Sequence, residues 1–116
     1  MIKKIGLLSF VLAICLFATA CPERTSIGNI SANPSKYLDK DTAVAGTVRN
    51  SFGIALLGGV YKVDDGTGSI WVLTNKGVPT KGSQVGVRGE IQEGMTYGGK
   101  SYGLGIIEKE RKIVKR

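Results

Sequence analysis

Three regimes of hydrophobicity follow one another along the chain. After a short basic start at Lys3 and Lys4, residues Ile5 to Ala20 (IGLLSFVLAICLFATA) run without a charge and are mostly apolar. Residues 22–33 (PERTSIGNISAN) are polar and read as a spacer. From Thr42 onward, short runs rich in β-branched residues are punctuated by Gly. Apolar or small residues there recur at every second position, as in Val44/Gly46/Val48 and Val85/Val87/Gly89/Ile91. A period of two is the pattern of strands with one buried face. Beyond the first twenty residues no stretch of helical period is long enough for a bundle.

This pattern predicts five strands: 42–50 (TAVAGTVRN), 59–64 (GVYKVD), 69–74 (SIWVLT), 83–92 (SQVGVRGEIQ) and 101–107 (SYGLGII). An extension of the last strand towards Val114 stays open. Asp65-Gly66-Thr67-Gly68 is a turn, and residues 75–82 (NKGVPTKG) and 94–99 are loops. Pro34 to Leu38 form one helical turn, with Pro at the first position and Asn33 as its cap. Tyr37 and Leu38 then pack as a lid on the core. Interior Gly46, Gly86 and Gly89 fit strands that bend sharply to close on themselves. The expectation is an all-β fold, a small five-stranded Greek-key barrel behind a leader helix.

The apolar start has the layout of a secretory signal peptide: basic residues, an apolar stretch and a small-residue end. The other reading is a membrane anchor, but the run is short for a span of about 20 residues. Ala18-Thr19-Ala20-Cys21 resembles the bacterial lipoprotein signal, in which small residues precede a Cys. That resemblance implies a diacylglycerol on the Cys21 sulfur and cleavage just before it; ordinary cleavage after Ala20 is the alternative. Ala18 stands where such signals usually have Leu. Several acyl chains together make a stable anchor, since a single chain binds only marginally. Pro22 occupies the place where Asp marks retention in the inner membrane, which points to the outer membrane if the organism has one. The expected organisation is therefore a leader over 1–20, a polar spacer over 21–33 and one domain over 34–116. The protein is expected to be exported and held on a membrane, facing the periplasm or the cell exterior.

Composition narrows the chemistry. The 116 residues include 16 Lys+Arg, 9 Asp+Glu, two Cys and no His. Without His there is no Ser-His-Asp triad, no Cys-His pair and no His-ligated metal. Two Cys do not make a Cys₄ zinc site. Cys15 lies in the apolar run and leaves with it, so Cys21 has no disulfide partner. Without Lys3 and Lys4 the chain holds 14 basic and 9 acidic side chains, a net charge of +5. A domain of this size buries roughly 60–65% of its unfolded surface. That supports one small core without a deep catalytic cavity. No enzyme activity, cofactor or metal is expected.

The order of motifs from Leu38 to Glu93 resembles a bacterial OB-fold. It runs Val44-Ala45-Gly46-Thr47-Val48, then Tyr61-Lys62-Val63-Asp64-Asp65-Gly66-Thr67-Gly68-Ser69-Ile70-Trp71-Val72, then Pro79 to Ile91 (PTKGSQVGVRGEI). It is similar both to anticodon-binding-like OB domains and to exported periplasmic OB-fold proteins. The resemblance implies a ligand surface on strands 2 and 3 flanked by two loops. Here those loops are Ser51–Gly58 (SFGIALLG) and Gly94–Tyr102 (GMTYGGKSY). The implied ligand residues are Tyr61, Lys62, Trp71, Leu73, Tyr97, Lys100 and Tyr102. Trp71 either stands on the binding face, with Ile70 and Val72 in the core, or packs over a barrel end. The apolar run Phe52–Leu57 either extends the first strand or forms a tip that touches a partner or a bilayer. The Tyr- and Gly-rich second loop suits carbohydrate or peptide contact, or is simply a hairpin turn.

Two charged features read as structural. Asp64 and Asp65 are adjacent on a strand end, so their side chains diverge, and they serve the turn rather than a metal or acid–base site. Glu108 to Arg116 read as a solvated terminus, with contact to an anionic lipid or polymer as the lesser alternative. Together these readings describe a non-catalytic binding module of the cell envelope, its ligand a polymer, glycan or protein. Single-stranded nucleic acid is the alternative ligand.

Overall fold

A computed structural model describes residues 24–53 and 58–115. The expected leader, Cys21 and the Ile54–Leu57 part of the apolar run lie outside the described residues. The elements are α1 (Ile27–Ala32), α2 (Pro34–Tyr37), β1 (Asp41–Gly53), β2 (Gly59–Asp64), β3 (Ser69–Thr74), β4 (Gln84–Tyr97) and β5 (Lys100–Lys115). The strands hydrogen-bond in the order β1-β2-β3-β5-β4 and close back on β1 as a barrel. All pairings are antiparallel except β3 with β5, where Trp71, Val72 and Leu73 run parallel to Gly105, Ile106 and Ile107.

The closure follows from β1, which pairs with β4 through its first half and with β2 through its second. Thr47 is the changeover, opposite both Gln84 and Asp64. A Cβ on Gly46 would press into the backbone of Asp64, and one on Gly89 into the carbonyl of Ile107. Only glycine lets the strands approach this closely at the two corners. Gly86, expected to act with them, instead has open space beside it.

Alternation supplies the core. Val44, Val48, Val63, Ile70, Val72, Val85, Val87, Ile91 and Ile106 all point inward and are buried. Burying each such side chain contributes about 1.5–3 kcal/mol relative to exposure. Tyr37 and Leu38 pack against this core as expected, and Leu38 bridges to Ile91. Asn33 holds the N-cap position of α2 as expected, but without a side-chain cap bond: its carboxamide oxygen accepts the Ser35 hydroxyl at 3.2 Å.

Four further expectations are corrected. The stretch read as a polar spacer contains α1, whose Ile27 and Ile30 are fully buried in the core. Ser26 caps α1 by accepting the Asn29 N–H at 3.1 Å. Asp65 then docks it, accepting the Ile27 N–H on Oδ2 at 2.9 Å and, on Oδ1, the N–H groups of Thr67 and Gly68 from its own turn. The loop expected at 94–99 is mostly strand, with β4 running on to Tyr97 and the reversal confined to Gly98 and Gly99. The end read as a solvated tail pairs with β4 as far as Lys115 opposite Gln84. Finally, Tyr61 faces inward and is fully buried.

Candidate functional site

The register of β1, β2, β3, β5 and β4 sets outward-facing residues in rows across the sheet. One row is Asn50, Lys62, Trp71, Gly105 and Gln92. The next is Phe52, Val60, Leu73, Ile107 and Glu90, in which Val60 is fully covered by its neighbours. Successive strand residues point to opposite faces, so Lys62 and Tyr61 cannot share one. This is why Tyr61 leaves the expected ligand surface while Lys62, Trp71 and Leu73 stay on it.

Three rings meet there. Trp71 lies edge-on to Tyr102 with centroids 4.8 Å apart, and Phe52 tilts towards Trp71 at 6.0 Å. Such arrangements match the ring quadrupoles better than a face-to-face stack. The Lys62 ammonium stands 5.6 Å from the Trp71 ring, and Lys100 stands 5.4 Å from that of Tyr102. Beside the rings opens a cleft of about 350 Å³, with Phe52 and Gly53 on one wall and Tyr97, Gly98, Lys100 and Tyr102 on the other. The Tyr97 hydroxyl donates to the Gly58 carbonyl at 3.3 Å and so straps the β4–β5 hairpin to the base of the β1–β2 connection. Among the described residues no carboxylate lines the cleft.

Of the seven expected ligand residues, Lys62, Trp71, Tyr97, Lys100 and Tyr102 are brought together. Leu73 sits half-buried in the neighbouring row, and Tyr61 is absent from the face. Phe52 joins them with half of its surface exposed, at 52%. Its sequence signal was the costly apolar run in a barrel connection, and the open strand-or-tip reading resolves at Phe52 and Gly53 as strand, paired with Val60 and Gly59.

A second cluster lies inside the barrel. Glu108 accepts the Tyr61 hydroxyl on Oε1 and the Thr74 hydroxyl on Oε2, the latter at 2.7 Å. Arg111 pairs with the same carboxylate at 3.4 Å, donates to the Gly77 carbonyl at 2.8 Å and lies 5.5 Å from the Tyr61 ring. Burial, then the hydrogen bond to Glu108 and its charge, push the Tyr61 phenol far above its ordinary value; Arg111 offsets this only in part. Both carboxylate oxygens are engaged within the protein, so the cluster joins β2, β3 and β5 rather than facing a ligand. Sequence reasoning missed Glu108 and Arg111 because they sit in a run of charges that reads as surface. Asp64 accepts the Gly66 N–H at 2.8 Å, and Asp65 is taken up by its turn and by α1, so the two carboxylates diverge as expected. Among the described residues no group of three or more Cys, Asp or Glu is placed to hold a metal ion.

No protein-family profile matches the chain, and no curated protein matches it by sequence. Solved structures do match. An OBody bound to hen egg-white lysozyme is similar at 18% identity with a TM-score of 0.61, over 83% of this chain and 99% of its own. Asparaginyl-tRNA synthetase from Pyrococcus horikoshii is similar at 16% identity with a TM-score of 0.63, over 80% of this chain. A putative aspartyl-tRNA synthetase from Leishmania major Friedlin is similar at 16% identity with a TM-score of 0.60, also over 80%. The chain spans only 22% and 21% of the lengths of those two synthetases. At such identities the likeness establishes the fold, which is an OB-fold, and leaves the ligand to the site itself.

Proposed function

We propose that this protein is a non-catalytic binding module of a bacterial cell envelope, tethered by acyl chains on Cys21 and gripping its ligand with the outer face of β2 and β3. The observation that carries the reading is the ring cluster of Phe52, Trp71 and Tyr102, bracketed by Lys62 and Lys100 above a cleft between two hairpins. A partly exposed Trp between two other rings is costly to leave in water unless something covers it. The ligand is an envelope polymer, a glycan or a protein. That OB-folds serve as protein binders is supported by the similar OBody bound to lysozyme. The absence of His supports the non-catalytic part of the reading, as does the engagement of Glu108 and Asp65 within the fold.

A second reading, single-stranded nucleic acid, is favoured by one specific feature: cations set against rings beside a cleft whose described lining holds no carboxylate. Base stacking on such rings contributes about 1–3 kcal/mol per base. Sedimentation with purified peptidoglycan and retention of single-stranded DNA separate the two. The proposal expects wild type to sediment with peptidoglycan and Trp71→Ala to lose most of that binding. Salt-sensitive DNA retention abolished by Trp71→Ala, with no peptidoglycan binding, would establish the second reading instead. Partition into a detergent phase, lost in Cys21→Ser, tests the anchor.

A further inference from the structure

The start of the described chain and the ring cluster sit at opposite ends of β1. The Thr25 N–H donates to the Ala43 carbonyl at 2.7 Å, which fixes the start of the described chain beside the first half of β1. Phe52 stands nine residues further along the same strand, up to about 30 Å away. Only Pro22 and Glu23 separate Cys21 from Arg24. Three residue steps reach at most about 11 Å. Whatever bilayer holds acylated Cys21 therefore lies close to the surface around Arg24.

That surface is a shallow groove over the outer faces of β1, β4 and β5. It comprises two neighbouring shallow cavities, about 620 and 550 Å³ in volume, with Arg24 lining both and the Asp64–Gly66 end of β2 and its turn bordering the second. Its floor is made by small residues: Ala43, Ala45 and Gly86, the last with open space where a side chain would stand. Lys112 stands opposite Gly86 on β5, and Lys76 comes from the β3–β4 connection. Arg88 is neutralised by Asp41 at 2.8 Å and Glu110 at 3.3 Å, and Arg49 faces Asp64 at 3.6 Å. Arg24, Lys76 and Lys112 are exposed and form no ion pair among the described residues. Their charge is left for an outside partner.

We infer that this groove is the membrane-apposed face of the anchored protein. Arg24, Lys76 and Lys112 meet anionic phospholipid headgroups, and the ring cluster is held away from the bilayer, open to a ligand. The inference rests on the anchoring reading above and adds an orientation to it. Cations near an anionic surface act within a Debye length, so the contact weakens with salt. Each of the three contributes about a fivefold gain in surface affinity.

The test uses the full chain, expressed with its leader in a bacterium that acylates lipoproteins. The acyl mass is confirmed first. The protein is then placed in vesicles of phosphatidylglycerol and phosphatidylcholine with nitroxide on a fraction of the headgroups. One sample carries a fluorophore through Gln84→Cys, an exposed position lining the groove, and another through Thr96→Cys, an exposed position on the β4–β5 hairpin next to the cleft. The expected result is quenching at 84 at least fivefold stronger than at 96, falling when phosphatidylglycerol is omitted while the protein stays on the vesicles. Equal quenching, or stronger quenching at 96, overturns the assigned face and leaves the anchor standing. A product without the acyl mass overturns the anchor, and this inference with it.

Discussion

Glu108 is the residue on which the barrel interior depends. Its side chain is only 2% exposed and that of Arg111 14%, with Tyr61 and Thr74 completing the set. Breaking such a buried pair by removing one partner leaves an uncompensated charge, which costs about 3–5 kcal/mol. Glu108→Ala is therefore expected to lose that much in urea unfolding. Tyr61→Phe removes one hydrogen bond to a charged group, and a loss of about 1.5–3 kcal/mol is expected. A Glu108→Ala protein as stable as wild type would show that the cluster is ornamental. The Tyr61 phenol also predicts an alkaline limit. Its value in the folded protein is raised by burial first and by Glu108 second. Its contribution is thus complete below the ordinary tyrosine value near 10 and is lost as pH rises beyond it. Among the four tyrosines, one should ionise only together with the loss of the near-ultraviolet circular dichroism signal, as read by phenolate absorbance.

Helix α1 shows what a short element needs beyond its own sequence. Six residues are too few to be stable alone. Two buried isoleucines and the Asp65 carboxylate hold it in place. Ile30→Ala should cost about 2–5 kcal/mol by leaving a cavity in the core. Burial raises the Asp65 carboxyl, but the hydrogen bonds from Ile27, Thr67 and Gly68 outweigh that and hold it below the usual carboxylate range. The stabilisation is therefore present above the ordinary value near 4 and is lost as pH falls through the lowered one. The protection factor of the Ile27 amide, its exchange rate relative to an unstructured amide at the same pH, should fall on acidification in wild type, and Asp65→Asn should remove most of that dependence. The period-two strands were legible because each carries three or more positions on its inward face, and β2 and β3 fall on the expected residues. Helix α1 was not, since Ile27 and Ile30 span a single turn and carry no period. The true ends of β4 and β5 were hidden as well: Gly94 and the charges after Ile107 look like loop and tail until the strands pair with each other.

At the scale of the whole molecule, the sequence carried the ring of strands through its glycine corners and the motif order from Val44 to Ile91. It also carried most of the ring-and-cation face, because Lys62, Trp71, Tyr97, Lys100 and Tyr102 belong to strands and hairpins that the pattern located. The exclusion of Tyr61 depended on knowing which side of β2 faces in, and the arrival of Phe52 on a bulge in β1 between Val48 and Asn50 that resets the alternation. The central claim is that this outer face, and no other, takes the ligand. Trp71 is the only Trp in the chain, so its emission reports on that face alone. Titrating the protein with soluble muropeptides released from peptidoglycan, and separately with a short oligothymidylate, should give a saturable change in Trp71 emission with one of the two, weakened in Lys62→Glu. Calorimetric binding of either one that leaves the emission unchanged would contradict the account.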